Sequence, residues 1–131
     1  KFKKDTKNYP DLVFFLSIHA PFRTSKFIKK ALDVIIANNY DTVVSANIEY
    51  DPIFKNSEKG LKLINPGRFD QINFEKENLY RFNGSIILTK FKTLVKSRVF
   101  KDEVGYIEMP YDLSHQVKTL NDLKRVKILE K

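Results

Sequence analysis

No cysteine occurs among the 131 residues of this chain, and the sequence contains no tryptophan, four glycines and two histidines. Disulfide bonds and thiolate metal sites are therefore excluded. The histidines, His19 and His115, lie far apart and show no zinc-ligand spacing. The scattered glycines form neither a P-loop nor a G-x-G-x-x-G motif, and the G-x-S-x-G elbow of serine hydrolases is absent. These absences remove several large classes of enzyme.

Long apolar runs are also missing. No segment reaches the length needed to cross a bilayer, and no secretory or lipidation signal is recognisable. We therefore expect a cytoplasmic protein with no membrane contact. The hydrophobic share of 42% is ordinary for a folded protein, and the length allows one domain over residues 1–131.

Positive charge is in excess. The formal net charge is +8, from 24 lysines and arginines against 16 acidic residues. Nineteen of the basic residues are lysines, which favours a solvated surface over a dedicated phosphate site, because arginine makes the bidentate contacts. The positive field still attracts anions such as nucleotides or acidic sugars. Nucleic-acid binding is permitted by this charge but not expected, because the sequence has no nucleic-acid motif and its phenylalanines are typical of a core.

Strand and helix patterns alternate, which predicts an α/β fold. Residues 11–18 form a nearly continuous apolar run, typical of a strand buried on both faces. A helix follows and ends at Asn38–Asn39, and residues 42–47 form a second strand. This order indicates a right-handed crossover between parallel strands. The loop of residues 19–25 then leaves the carboxyl end of the first strand, where ligands bind in open α/β sheets.

The middle of the chain, residues 48–79, is polar and rich in turn residues. It is compatible with a hairpin-like arm that reaches a second subunit, and equally with a long surface loop. The remaining predicted elements are an Asn83–Gly84 turn, strands over residues 85–89 and 104–109, a short helix over 91–96, and a final helix that Thr119 opens with Asp122 as a near capping box.

Two groups of polar residues on loops are candidate ligand contacts. Ser17, His19 and Arg23 follow the first strand. His19 could bind a phosphate or a sugar hydroxyl, although a lone histidine more often satisfies a local carbonyl. Arg23 could hold an anion or merely neutralise the loop. Arg68 and Gln71 lie on the arm, as ligand donors or as ordinary exposed residues.

A third group, Arg81 and Asn83, precedes a buried strand. A guanidinium at that position needs a partner, because an unpaired charge beside a buried strand is costly. An ion pair of Arg81 with Glu75 or Glu77 would give it a purely structural role. Asn83 with the following glycine is by itself a turn signal.

Three segments carry motifs in a fixed order, namely residues 17–23 (SIHAPFR), 83–88 (NGSIIL) and 114–119 (SHQVKT). They resemble the Q-x-T-S-P-L-R loop, the N-G-A-I-Y-I strand and the S-I-D-I-D-T motif of the acylneuraminate cytidylyltransferase (CMP-sialic acid synthetase) family. Order and spacing hold from about residue 11 to residue 130. Each motif alone is weak, and the three in sequence are moderately specific.

The resemblance implies a Rossmann-like nucleotidyltransferase fold with a mainly parallel sheet and a homodimer joined by the arm of residues 48–79. It implies transfer of CMP from CTP to an acidic, nonulosonic-type sugar, with pyrophosphate released. Arg68 and Arg81 would lie near the sugar or the phosphates, and Asn83 would line the pocket. The family's N-terminal segment, with its basic nucleotide loop, has no counterpart here, so we expect a partial domain.

The chain departs from the family at three site positions. Ser17 stands where a glutamine is expected to contact the sugar, and Gln116 and Lys118 stand where two aspartates bind Mg²⁺. An amide and an ammonium cannot replace two carboxylates around a hard dication. Either Lys118 holds triphosphate oxygens in place of the metal, or it is a solvated lysine and the site is inactive. Gln116 and Lys118 remain candidate substrate contacts, and no residue is assigned a catalytic role.

The sequence therefore predicts a cytidylyltransferase-like domain of CMP-sugar synthesis that turns over no CTP by itself. The alternative is a diverged, inactive domain that is retained for binding a sugar or nucleotide or for dimerisation.

Overall fold

The structure, a computed structural model, describes residues 9–65, 79–100 and 103–129. Strands and helices are mixed along the described chain, as in an α/β fold. In order they are β1 (Leu12–Leu16), α1 (Ser25–Asn38), β2 (Thr42–Ile48), β3 (Ile53–Ser57), β4 (Gly60–Asn65), β5 (Tyr80–Lys90), α2 (Phe91–Val95), β6 (Gly105–Glu108), a 3₁₀ turn (Asp112–Ser114) and α3 (Leu120–Leu129).

Four strands form the central sheet, in the order β1-β5-β2-β6. β5 runs antiparallel to both β1 and β2, whereas β2 and β6 are parallel. Three of these four strands therefore point the same way, which confirms the predicted Rossmann-like α/β fold with a mainly parallel sheet. Because β5 lies between β1 and β2, α1 connects parallel strands that are not neighbours. The carboxyl ends of β1, β2 and β6 share one edge of the sheet with the start of β5.

Helix α1 packs against one face of the sheet. Its apolar residues recur at helical spacing, so one side of the helix is hydrophobic. Full burial of each larger aliphatic side chain in the interface contributes about 1.5–3 kcal/mol. The helix ends at Asn39, whose φ of 53° is left-handed, as the Asn38–Asn39 pair predicts. The buried core cluster consists of Ala31, Ile35, Val43, Ile86, Leu88 and Ile107.

Strand β1 differs from the strand predicted over residues 11–18. It is five residues long, and Phe15 and Leu16 are 45% and 39% exposed. The expectation of burial on both faces is therefore wrong for the described residues. β1 is exposed because it is an edge strand: among the described strands it pairs with β5 alone. The apolar run correctly indicated a strand but not its place in the sheet.

The predicted Asn83–Gly84 turn is also wrong. Both residues lie inside β5, which continues without a break from Tyr80 to Lys90. Gly84 has a φ of +75°, a value that glycine adopts at no steric cost. The Asn-Gly signal marks an irregularity within a long strand and not a reversal of the chain.

Strands β3 and β4 form a separate antiparallel hairpin. It lies within the segment 48–79, for which a hairpin-like arm was one of two interpretations. Several apolar side chains of this hairpin are exposed, among them Phe54 at 51% and Leu61 at 72%. Arg68 and Gln71, and the acidic residues Glu75 and Glu77, lie outside the described residues. Dimerisation through this arm stays a prediction.

Helix α3 begins with the predicted capping box. The Thr119 N–H donates to Asp122 Oδ2 at 2.9 Å, and the Asp122 N–H donates to Thr119 Oγ1 at 3.2 Å. Val126 is the buried residue of this helix, whereas Leu120 is 79% exposed. Among the described helices, none has the length and apolar character that a membrane span requires.

Candidate functional site

An irregularity in the pairing of β2 with β5 builds the centre of the site. Val44 pairs with Ile87, but Ala46 pairs with Phe82. Ser45 alone therefore faces the four β5 residues 83–86. Its hydroxyl fills the gap in the ladder, because Ser45 Oγ accepts the Ile86 N–H at 2.9 Å and lies 2.6 Å from Asn83 Oδ1, to which it donates. Such bulges re-aim side chains and are common beside functional sites.

Asn83 is the polar residue at the middle of this bulge. Its Oδ1 accepts hydrogen bonds from Ser45 Oγ and from the Ser85 N–H, the latter at 3.1 Å. These two bonds fix the orientation of the carboxamide. Its Nδ2 is buried and has no hydrogen-bond partner among the described residues, and the same holds for Ser85 Oγ. An unpaired buried donor costs about 1–3 kcal/mol, and an acceptor that reached Asn83 Nδ2 would remove this cost.

Gln116, on the segment between the 3₁₀ turn and α3, contacts the backbone of the bulge. Its Nε2 donates to the Asn83 carbonyl oxygen at 2.5 Å. A Cβ atom at position 84 would overlap this amide. Position 84 therefore requires glycine for two reasons, the positive φ and the close approach of Gln116. The Gln116 amide donates a hydrogen bond to this carbonyl oxygen. A carboxylate at position 116 could not do so, because it has no donor.

The loop of residues 17–23 is tied to the same bulge. The Ser17 N–H donates to the Ser85 carbonyl at 3.2 Å. Arg23 Nη1 donates to the Ser17 carbonyl at 2.7 Å and to the Ser85 carbonyl at 3.2 Å. This guanidinium therefore joins the loop to β5 through backbone contacts. Of the two interpretations of Arg23, anion binding and a structural role, the contacts favour the structural one.

His19 links the loop to the segment that carries Gln116. Its carbonyl oxygen accepts the Val117 N–H at 2.8 Å, and its own N–H donates to Ser17 Oγ at 3.2 Å. The histidine side chain is exposed. The structure thus brings Ser17, His19, Arg23, Asn83 and Gln116 to one edge of the sheet. Their roles as ligand contacts stay predictions.

Arg81 lies on the same edge and has an acidic partner. It pairs across the ladder with Asn47, and its Nη2 forms an ion pair with Glu49 Oε2. The other oxygen, Glu49 Oε1, accepts the Asp51 N–H at 3.1 Å. The side chain of Glu49 is only 6% exposed, whereas that of Arg81 is 64% exposed. The partner that Arg81 was expected to need therefore exists, but it is Glu49.

The environment of Glu49 keeps it ionised. Burial by itself raises the pKa of this carboxyl, but the hydrogen bonds from the Asp51 N–H and from Arg81 outweigh it and lower the pKa below 4.5. No sequence motif identified Glu49 as a site residue. In the sequence, Glu49 stands out only as a single acidic residue directly after a strand, at the ligand-binding edge of the sheet.

A surface cleft of about 310 Å³ opens beside this ion pair. We call it the Glu49 cleft, and its lining includes Asn47, Glu49, Asp51, Arg81 and Tyr111. Asn47 Nδ2 donates to the Met109 carbonyl at 2.5 Å, which holds the carboxamide in place. The ring of Tyr111 meets that of His115 edge-on at 5.2 Å. The cleft combines hydrogen-bond donors and acceptors with the aromatic rings of Tyr50 and Tyr111.

Lys118 and Gln116 do not fit a divalent metal. Lys118 is exposed, and its backbone N–H donates to Asp122 Oδ2 at 3.1 Å. Gln116 uses its amide nitrogen on the Asn83 carbonyl. In residues 9–65, 79–100 and 103–129, no three histidine or acidic side chains are grouped so as to hold a metal ion. Mg²⁺ prefers carboxylate oxygens in near-octahedral geometry, and these two side chains do not supply them.

Comparison with known proteins identifies the type of fold. No protein-family model matches the chain, and no curated protein matches it. Among solved structures it is similar to 4-diphosphocytidyl-2C-methyl-D-erythritol synthase from Anaerococcus prevotii, with a TM-score of 0.67 and 13% sequence identity. The similarity covers 98% of this chain but 63% of that enzyme. The likeness concerns the fold and does not extend to acylneuraminate cytidylyltransferases specifically. The chain thus has a Rossmann-like fold of the cytidylyltransferase type.

Proposed function

We propose that this chain is the part of a cytidylyltransferase-like protein that binds the sugar and the CMP group in CMP-sugar synthesis. The observation that carries the proposal is the buried, unpaired Nδ2 of Asn83 at the carboxyl edge of a cytidylyltransferase-type sheet. The 17–23 loop and Gln116 are hydrogen-bonded to the neighbouring backbone of β5, and Arg81 lies two residues before Asn83 in the same strand. Ligands of open α/β sheets bind at this edge. The motifs shared with acylneuraminate cytidylyltransferases support the same assignment.

The reaction in question joins a sugar to CMP. The sugar oxygen forms a bond to the α-phosphorus of CTP, the bond between the α- and β-phosphates breaks, and pyrophosphate leaves. In our proposal the Asn83 amide donates to an oxygen of the sugar or of CMP, and Arg81 contacts the same ligand. The protein would be a homodimer, with CTP or a CMP-sugar and a sugar as its small-molecule partners.

The second candidate is a diverged domain that binds a sugar or nucleotide without transferring it. The unsuitability of Gln116 and Lys118 for Mg²⁺ favours this candidate, because phosphoryl chemistry on CTP usually needs the metal to neutralise developing charge. Both candidates share the binding site and differ in whether the cytidylyltransferase-like protein that contains it transfers CMP.

Calorimetric titration of the chain with CMP and with CTP, each with and without Mg²⁺, tests the proposal. We expect both nucleotides to bind, with the same affinity in the presence and absence of Mg²⁺. Asn83→Ala should weaken binding about tenfold, because it removes one donor to the ligand. Asn121→Ala, an exposed change on α3, is the matched control and should leave affinity unchanged.

A pyrophosphate assay tests for turnover by the chain itself, which neither candidate predicts. We expect no pyrophosphate release from CTP with N-acetylneuraminate above a control without protein. Release above that control would establish transfer by this chain and reject the inactive domain. Failure of CMP and CTP to bind at millimolar concentration would contradict both candidates.

A further inference from the structure

The Glu49 cleft indicates which kind of sugar this edge accepts. Its volume of about 310 Å³ lies at the lower end of the range for small-molecule sites, roughly 300–1,000 Å³. It can therefore hold a ligand of monosaccharide size but not a complete nucleotide sugar. The cleft opens directly beside Arg81, which our proposal places in contact with the sugar.

The charges of the cleft do not suit an acidic ligand. Its lining includes two carboxylates, Glu49 and Asp51, against the single guanidinium of Arg81. That guanidinium is already paired with Glu49. A ligand carboxylate would have to approach Arg81 beside the nearly buried Glu49 carboxylate, and like charges at such a distance repel strongly where water is partly excluded.

Hydroxyl groups suit the same arrangement. The carboxylate of Glu49 has acceptor capacity beyond the hydrogen bonds that it accepts from Arg81 and the backbone N–H groups of residues 50 and 51, and Arg81 has five N–H donors in total. A sugar hydroxyl both donates and accepts, so one hydroxyl can satisfy the two partners of the ion pair at once. Tyr111 is 71% exposed and offers the apolar face of its ring to the carbon skeleton of a sugar.

From these contacts we propose that the Glu49 cleft selects an acceptor polyol that carries no carboxylate, and that Glu49 is the residue that excludes acidic sugars. The proposal rests on the proposed function, because it refines the sugar that the same edge binds. It departs from the acidic, nonulosonic-type sugar that the motifs imply.

A matched pair of probes tests this selectivity. N-acetylneuraminate and its methyl ester share one polyol skeleton and differ by a single negative charge. Binding of each to the whole chain is measured by titration in ¹⁵N-edited NMR spectra, for the natural chain, for Glu49→Gln and for Glu108→Gln. Glu108→Gln removes an exposed carboxylate outside the lining of the cleft and serves as the matched control.

We expect the ester to bind about tenfold more tightly than the acid to the natural chain. Glu49→Gln should abolish or reverse this preference, because the carboxamide keeps the acceptor for the Asp51 N–H while releasing Arg81. Glu108→Gln should retain the preference. A thermal melt of each variant establishes that it is folded.

Three results would overturn the proposal: tighter binding of the acid to the natural chain, an unchanged preference in folded Glu49→Gln, or no binding of either probe. A parallel CMP titration distinguishes this failure from that of the proposed function. If CMP binds while the predicted preference is absent, the selectivity is wrong and the nucleotide-sugar assignment stands.

Discussion

Gly84 shows how one residue holds the site together. Its positive φ and the contact with Gln116 act at the same position. Gln116 in turn hydrogen-bonds the Asn83 carbonyl, so glycine at 84 allows the bulge and the segment around residue 116 to meet. The motif similarity includes residues 83 and 84, but the local signal predicted a turn. Contacts distant in sequence, from Ser45 and Gln116, override that local preference.

Gly84→Ala is expected to destabilise the protein by about 1–3 kcal/mol, because alanine is strained at positive φ and its Cβ displaces Gln116. Urea unfolding measures the change. In a Gln116→Ala background the same substitution should cost less, because the overlap is then relieved. Strictly additive free energies for the two substitutions would contradict the close packing of Gly84 against Gln116.

Glu49 illustrates what a sequence alone does not reveal. Its partner Arg81 is 32 residues away in the chain, and neither periodicity nor a motif connects the two. The position of Arg81 before a buried strand predicted an acidic partner, for which the nearby Glu75 and Glu77 were the candidates. Strand pairing determines the partner of Arg81, because β2 and β5 place Asn47 opposite Arg81 and so bring Glu49, two residues further on, within reach of its guanidinium.

The lowered pKa of Glu49 predicts a specific pH dependence of stability. A carboxyl with a depressed folded pKa stabilises the fold above its ordinary value of 4.5, and this contribution is lost as the pH falls through the lower, folded pKa. The difference in unfolding free energy between the natural chain and Glu49→Gln should therefore be constant above pH 5 and shrink below about pH 4.5. Chemical unfolding at a series of pH values checks this, with Glu108→Gln as control. A difference that grows on acidification would contradict the ion pair.

At the scale of elements, the hairpin of β3 and β4 stands apart from the central sheet. Phe54 and Leu63 are cross-strand partners and are 51% and 47% exposed. Leu61 lies two residues before Leu63 and so shares its face of the hairpin. An exposed apolar face of this kind is typical of an interaction surface. The pattern of turn residues predicted a hairpin here, but it left a surface loop equally open.

We expect the protein to be a dimer through this face. Sedimentation equilibrium of the natural chain should give twice the monomer mass, and Phe54→Ser with Leu63→Ser should shift it to the monomer. Lys62→Ser changes the residue between Leu61 and Leu63, in the regularly paired part of β4 and therefore on its other face, and should leave the dimer intact. A monomeric natural chain at 100 μM, or a dimer that the double substitution does not affect, would contradict the prediction.

At the scale of the whole molecule, the alternation of strands and helices was predictable because buried strands and amphipathic helices have distinct periods. The boundaries of α1 and β2 follow from local residues, as the left-handed Asn39 shows. The place of each strand in the sheet was not predictable in this way. The exposure of β1 and the insertion of β5 between β1 and β2 depend on pairing across the molecule, which short-range patterns do not encode.

The central claim is that one edge of this sheet binds the components of a CMP-sugar through the Asn83 bulge. The most direct test is a ¹⁵N NMR titration of the natural chain with CMP that follows the side-chain amide of Asn83. We predict that this amide shifts together with backbone signals of residues 17–23 and Gln116, and that signals of the β3–β4 hairpin do not move. Shifts confined to other surfaces, or none at saturating CMP, would contradict the claim.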